Sequence, residues 1–305
     1  MRHLITLSDL SAAEISRILS ITEDLKSKFA HGLREPLLPG RVLALLFEKP
    51  SLRTRVSFEA GMAHLGGSSI MLDENAGFGK RESLSDFARV LSEMVDVIVV
   101  RSMRHETVVQ FGQHAACSVI NGLTDQAHPC QVLADLYTVQ EHCGELAGRK
   151  IAWVGDGNNV ARSLVEGCGH TGVQLVVCTP PGYGLDDEFL RQARADFPKL
   201  DLVTTDDPHA AVSEADAVYT DVWASMGQEA ERNKRRSDFA KYQVNAQLMA
   251  RAPADALFLH CLPAHRGEEV TDEVIDGPQS VVVAQAANRM HVQKGILVWL
   301  LAAQA

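Results

Sequence analysis

No apolar run in this chain approaches the roughly 20 residues that a membrane-spanning helix requires. The six cysteines, at positions 117, 130, 143, 168, 178 and 261, include no Cys-x-x-Cys pair. That spacing fits reduced thiols better than a disulfide framework or a zinc site. Positive charge is not in excess: the formal net charge is -10 and the pI about 5.6. A nucleic-acid role is therefore disfavoured, because phosphate backbones attract basic surfaces. An anionic ligand would need a local positive pocket. Internal repeats and low-complexity tracts are also missing. The first residues, MRHLITLSDLSAAEISRIL, carry charge throughout and do not read as a signal peptide. They read as a lead-in to a helix capped near Ser8 or Ser11, with Glu14 three positions after Ser11. Together these features point to a cytoplasmic protein with neither membrane nor nucleic acid as a partner.

What is present is alternation. The chain has 305 residues, 46% hydrophobic and 22% charged, which is globular and long enough for two domains. Residues 8–31 read as an amphipathic helix with Leu10, Ile15, Ile18, Leu19, Leu25 and Phe29 on its buried stripe. Short branched runs then alternate with helical stretches: 42–47, 66–72, 95–101 and 118–123 in the first half. KIAWVGD, VQLVVCTP, DLVTTD, DAVYTDV, ALFLHCLP and SVVVAQA follow in the second. This order predicts an α/β fold of two domains, each with a central parallel sheet flanked by helices. The expected boundaries are 1–140, joined by a carboxyl-terminal helix 288–305 that packs back on it, and 141–287.

The most informative stretch is FEKPSLRTRVSFE, residues 47–59. A buried strand runs into Glu48, Lys49 and Pro50, and Pro50 suits the first turn of a helix. Ser51, Arg53, Thr54 and Arg55 then place hydroxyls and guanidinium groups at a helix start, where unpaired N–H donors and the positive dipole end favour an anion. Guanidinium groups match phosphate oxygens in shape. A capped helix with a surface salt bridge would explain the same residues less fully.

Five further sites stand at strand ends, where open α/β sheets hold ligands. Arg101 closes the strand 95–101. His128-Pro129-Cys130-Gln131 opens a helix, and His128 and Gln131, three apart, share a face able to meet a carbonyl oxygen and an adjacent NH2. Gly155-x-Gly157 follows a strand, but Val160 occupies the third glycine position of a dinucleotide fingerprint and no acid ends the next strand. Asn158 and Asn159 there suit a small zwitterion instead. In TDVWASMGQEAE, Asp221 can pair with an ammonium group, and the charged run EAERNKRR suggests a mobile lid. LHCLPAHRG offers His260, Cys261 and His265, whose spacing fits no zinc pattern.

In this order the motifs resemble those of the aspartate and ornithine carbamoyltransferase family. SLRTR resembles the S-T-R-T-R phosphate loop, with Leu52 in place of a threonine, so that one hydroxyl is lost while the backbone N–H can still donate. His128–Gln131 resembles H-P-T-Q, with Cys130 turned inward. GDGNN, D-x-W-x-S-M-G and H-C-L-P resemble the ornithine branch, and Asn288-Arg289 the family's terminal N-R, with Ala287 where an acid is usual.

The resemblance implies two α/β domains with the substrate cleft between them, the first binding carbamoyl phosphate and the second ornithine. It implies a carbamoyl phosphate site of Ser51, Leu52, Arg53, Thr54, Arg101, His128, Gln131, Cys261, Leu262 and Arg289. It implies an ornithine site of Asn159, Asp221, Ser225 and Met226, with Arg101, His128, Asp221 and Cys261 catalytic. No metal and no organic cofactor are implied. The expected reaction carries the carbamoyl group to the δ-amine of L-ornithine, in arginine biosynthesis or its catabolic reverse. The expected assembly is a homotrimer or a multiple of trimers, with Lys80 or Arg81 reaching a neighbouring site. Three alternatives stay open: another amine acceptor such as N-acetylornithine or putrescine, an NAD-dependent oxidoreductase, and a non-catalytic anion-binding protein.

Overall fold

The computed structural model describes residues 2–72, 81–224 and 229–302. By contacts the chain divides into two compact units, residues 1–133 with 287–305, and residues 134–286.

In the first unit, helix α1 (Ala12–Ala30) starts at Ser11, whose side chain accepts from the Glu14 N–H while Glu14 reaches back to the Ser11 N–H. The reciprocal cap fixes the start four residues later than periodicity suggests, and residues 7–9 form a separate short 3-10 turn. Then come β1 (Val42–Phe47), α2 (Leu52–His64), β2 (Ser68–Leu72), α3 (Leu84–Ser92), β3 (Val97–Arg101), α4 (His105–His114) and β4 (Ser118–Leu123). Their order in the sheet is β2-β1-β3-β4, all parallel. The two central strands, β1 and β3, read as apolar runs because a parallel sheet is covered on both faces there, while the edge strand β2 is partly exposed. The chain moves outward from β1 to β2 and then returns to the other side of β1, so the strand order reverses between β1 and β3. At that switch point Phe47 pairs with Arg101, and the Glu48 N–H bonds the Arg101 carbonyl at 3.0 Å. The cradle residues and Arg101 thus leave the sheet side by side.

Helix α5 (Pro129–Cys143) carries the chain into the second unit. There β5 (Lys150–Val154), α6 (Asn159–Thr171), β6 (Gln174–Cys178), α7 (Asp187–Asp196), β7 (Leu202–Thr205), α8 (Pro208–Val212) and β8 (Ala217–Thr220) follow. Helices α9 (Arg232–Asp238) and α10 (Ala246–Met249), strand β9 (Leu257–His260) and helix α11 (Asp272–Ile275) complete the unit. The parallel order is β7-β6-β5-β8-β9, so the switch point lies between β5 and β8. The loop holding Asp156 to Asn158 leaves β5, and Asp221 leaves β8. Gly157 is required there: a Cβ would sit 2.6 Å from the Gly184 carbonyl carbon and the Leu185 nitrogen.

The last helix, α12, runs from Val282 to Leu301. The SVVVAQA segment, expected as a strand, is therefore its first turn. Strand-like pairing lasts one residue: the Val281 N–H bonds the Phe258 carbonyl, and the Val281 carbonyl already accepts the Gln285 N–H. A short branched run does not by itself distinguish strand from helix. From residue 287 on, α12 packs in the first unit. A Cβ at Gly295 would fall 2.3 Å from the Thr22 hydroxyl, so glycine permits the close crossing of α12 with α1. Among the described residues, no helix is long and apolar enough to cross a membrane.

Candidate active site

Two clusters form at the two switch points. In the first unit, Ser51 is the N-cap of α2 in extended conformation, and its hydroxyl is not spent on the cap. It bonds the Thr54 hydroxyl at 3.0 Å, and Arg289 Nη2 donates to the same oxygen at 2.7 Å. The first-turn N–H groups of Leu52, Arg53 and Thr54 have no partner within the helix. Leu52 points its side chain outward, 75% exposed. Its N–H remains available to the cradle. Arg55 also faces out, paired with Glu59 at 3.0 Å, so one of the motif's arginines does not join the cluster.

Arg101 and His128 report what surrounds them. Burial first, then the Arg289 and Arg53 charges, lower the Arg101 pKa to about 10. Burial, then Arg289 and Arg101, holds His128 well below the usual imidazole value, so it is neutral. Arg53 and Arg289 therefore lie within electrostatic reach of Arg101, and Arg289 and Arg101 within reach of His128. Gln131 is buried one helical turn after His128. Cys130 turns inward as expected, its thiol donating to the Asn121 carbonyl at 3.5 Å, and burial pushes it up to about 12. Such a set of cations can neutralise a dianion and give hydrogen bonds to a carbonyl oxygen.

The second cluster is built around the buried Asp221 carboxylate. Cys261 Sγ donates to its Oδ1 at 3.0 Å, the Val222 N–H donates to the same oxygen at 2.8 Å, and Asn158 Nδ2 donates to Oδ2 at 2.8 Å. Asn158 also caps α6, accepting from the Val160 and Ala161 N–H groups. The residue tied to Asp221 is thus Asn158, while Asn159, the expected ligand, stands half-buried at the first helical position. Leu262 adopts a left-handed φ of 56°, held by its N–H donating to His260 Nδ1 at 2.9 Å. Ser225 and Met226 lie outside the described residues, as does Lys80; Arg81 is exposed in a turn.

Sequence reasoning missed Arg235. It sits in the charged run read as a mobile lid, yet it is buried in α9. It pairs with Asp156 at 3.1 Å, donates to the Trp223 carbonyl at 2.8 Å and lies over the Tyr183 ring. Burial, opposed by Arg235, raises the Asp156 carboxyl to about 6. Nothing in EAERNKRR distinguishes this arginine from its exposed neighbours.

Asp221, His260 and Cys261 bring donor atoms within 4.8 Å of one another, as do His265, Glu268 and Glu269. In the first group both ring nitrogens of His260 are engaged, Nδ1 by the Leu262 N–H and Nε2 by Glu269 at 3.0 Å. A cation there would have to displace one of these bonds.

Residues 2–141 match the family model described as the carbamoyl-P binding domain of aspartate/ornithine carbamoyltransferase, and residues 147–300 match its Asp/Orn binding domain. The chain is 50% identical over 305 residues to an ornithine carbamoyltransferase of Methylococcus capsulatus, covering 99% of each chain. It is 49% identical to that of Carboxydothermus hydrogenoformans, covering 98% of this chain and 97% of that one. Among solved structures, an ornithine carbamoyltransferase from Pyrococcus furiosus superposes with a TM-score of 0.95 at 47% identity, covering 99% of this chain and 97% of that one. An anabolic enzyme of Campylobacter jejuni superposes at 0.93 with 33% identity over the whole of both chains. On sequence and fold alike, the chain belongs to the aspartate/ornithine carbamoyltransferase family.

Proposed function

We propose that this chain transfers the carbamoyl group of carbamoyl phosphate to the δ-amine of L-ornithine, giving L-citrulline and phosphate. The observation that carries the reading is the contrast of the two clusters. One sets Arg101 and Arg289 beside a neutral His128, with Arg53 within reach of Arg101. The other presents a buried carboxylate, Asp221, held by neutral donors. The first suits a phosphate dianion, the second an ammonium or amine.

In this reading Ser51, Arg53, Thr54, Arg289 and the Leu52 N–H hold the phosphate. Arg101, His128 and the Thr54 hydroxyl meet the carbamoyl oxygen as negative charge develops on it. Gln131 and the Leu262 backbone hold the carbamoyl NH2. Asp221 and Cys261 orient the δ-amine, and Asn159, Ser225 and Met226 hold the α-amino-acid end. The amine nitrogen bonds the carbamoyl carbon, the carbon–oxygen bond to phosphate breaks, and the departing phosphate takes the amine's proton. Positioning of two reactants supplies much of the rate, and no metal or organic cofactor takes part. The cellular setting we propose is cytoplasmic arginine metabolism, and the assembly a homotrimer. Exposed Leu52, Val56, Ile70, Val90 and Met94 on the first unit give apolar surface for packing copies together.

The test is product formation from carbamoyl phosphate with ornithine, N-acetylornithine, putrescine and aspartate in parallel. Turnover with ornithine alone, lost in Arg53→Ala, supports the proposal. Turnover with a different amine would keep the phosphate site and overturn the acceptor. Phosphate binding without turnover would favour an anion-binding protein.

A further inference from the structure

Behind Asp221 and Cys261 runs a chain of buried polar groups that the reaction as written does not use. Asp135 (α5), Tyr219 (β8), Gln285 (first turn of α12) and His260 (end of β9) are each at most 1% exposed. The Tyr219 hydroxyl donates to Asp135 Oδ2 at 2.8 Å, and Gln285 Nε2 donates to Asp135 Oδ1 at 2.7 Å. Gln285 Oε1 accepts the His260 backbone N–H at 2.9 Å. His260 in turn accepts the Leu262 N–H through Nδ1 and meets Glu269 through Nε2. All of these residues belong to the second unit.

The geometry points to Asp135 and Gln285 as positioning residues that set the spacing of Asp221 and Cys261. The two site residues leave neighbouring parallel strands whose last pairs are Tyr219 with Leu259 and Thr220 with His260. Asp135 grips these last pairs from the side, β8 through Tyr219 and, through Gln285, the His260 backbone, and so fixes where the two loops begin. The Cys261 Sγ to Asp221 Oδ1 contact of 3.0 Å is the distance this bracket holds. Both carboxylate oxygens of Asp135 are engaged, and buried polar groups satisfied in this way fix a unique arrangement, while unsatisfied ones let it drift. In a reaction that depends on alignment, a drift of about 1 Å at the amine-orienting pair costs on the order of a hundredfold.

This inference rests on the proposed reaction, but one arm of its test does not. Cys261 is partly exposed, so the rate at which iodoacetamide alkylates it can be followed by peptide mass, without substrates. A thiol that no longer donates to a carboxylate ionises more readily and reacts faster. Asp135→Ala is expected to raise Cys261 alkylation at least about threefold. It should lower kcat with ornithine by on the order of a hundredfold while moving the KM for carbamoyl phosphate less than about twofold. Asp135→Asn keeps an oxygen for Gln285 and presents an amide to the Tyr219 oxygen, and should stay within about threefold of the parent in both readouts. Should Asp135→Ala fail to fold, Tyr219→Phe, which keeps the ring and removes one bond, must move both readouts in the same directions. Unchanged Cys261 alkylation in the folded variants, or Asp135→Asn as impaired as Asp135→Ala, would overturn the assignment. A parent that turns over no amine, yet shows the alkylation change, would overturn the reaction and leave the bracket standing.

Discussion

The two clusters occupy the same topological place, the switch point of a parallel sheet, and solve opposite electrostatic problems. In the first unit, cations face cations: Arg101 is lowered to about 10 by burial and by two other arginines. In the second unit, Asp221 is already surrounded by a thiol, an amide and a backbone N–H, all neutral. Its negative charge is felt nearby, where it helps to raise the Asp156 carboxyl. The comparison teaches that fold position selects where a ligand binds, while the local charge balance selects which ligand.

The comparison can be broken most forcefully in the first unit. Arg101→Met should lower kcat/KM for carbamoyl phosphate by about a thousandfold, since it removes a fixed charge from the developing oxyanion; steady-state kinetics check this. Next in size, Asp221→Asn should cost about a hundredfold in kcat/KM for ornithine with carbamoyl phosphate affinity nearly unchanged, as a two-substrate titration will show. A third effect is stability. Inorganic phosphate at about a hundred times its Kd should stabilise the protein by about 2.7 kcal/mol, seen as a rise in Tm that Arg53→Ala removes. A fourth is small by design. Leu52→Thr should change the KM for carbamoyl phosphate less than about twofold, because a side chain 75% exposed leaves the cradle as it was.

Acid sharpens the contrast further. His291 in the first unit is lowered to about 3 by burial, then by Lys294 and Lys26. A histidine depressed in the folded state binds its proton less well than when unfolded. Its contribution is therefore intact above the unfolded pKa of 6.5 and is lost as pH falls toward 3. Asp156 in the second unit is raised from 3.8 to about 6, so the folded state binds that proton better and gains stability as pH falls through this window. Amide exchange, corrected for intrinsic rates, should show protection falling in the first unit between pH 7 and pH 5. It should rise in the second, and Asp156→Asn should abolish that gain.

Much of this was readable from the residues. An anion cradle could be expected because Ser51, Arg53 and Thr54 fall within four residues at a helix start, which needs anions or caps. The strands were legible because parallel sheets buried on both faces require unbroken apolar runs. What escaped detection was long-range or context-set. Leu52 and Arg55 could be placed in or out of the cradle only once the helix phase was known. Asn158 takes the contact to Asp221, 63 residues away, because it is the cap and Asn159 is already helical. Gln285 lay inside an apparent strand, and its bond to Asp135 spans 150 residues. Arg235 looked like a solvated charge, and its partner Asp156 like part of a glycine turn.

The division of labour between the clusters is tested most directly by the initial rate of citrulline formation across a matrix of both substrates, for the parent, Arg101→Met and Asp221→Asn. The account expects citrulline from the parent, with Arg101→Met displaced along the carbamoyl phosphate axis and Asp221→Asn along the ornithine axis. Displacement of both variants along one axis, or no citrulline from the parent at all, would contradict it.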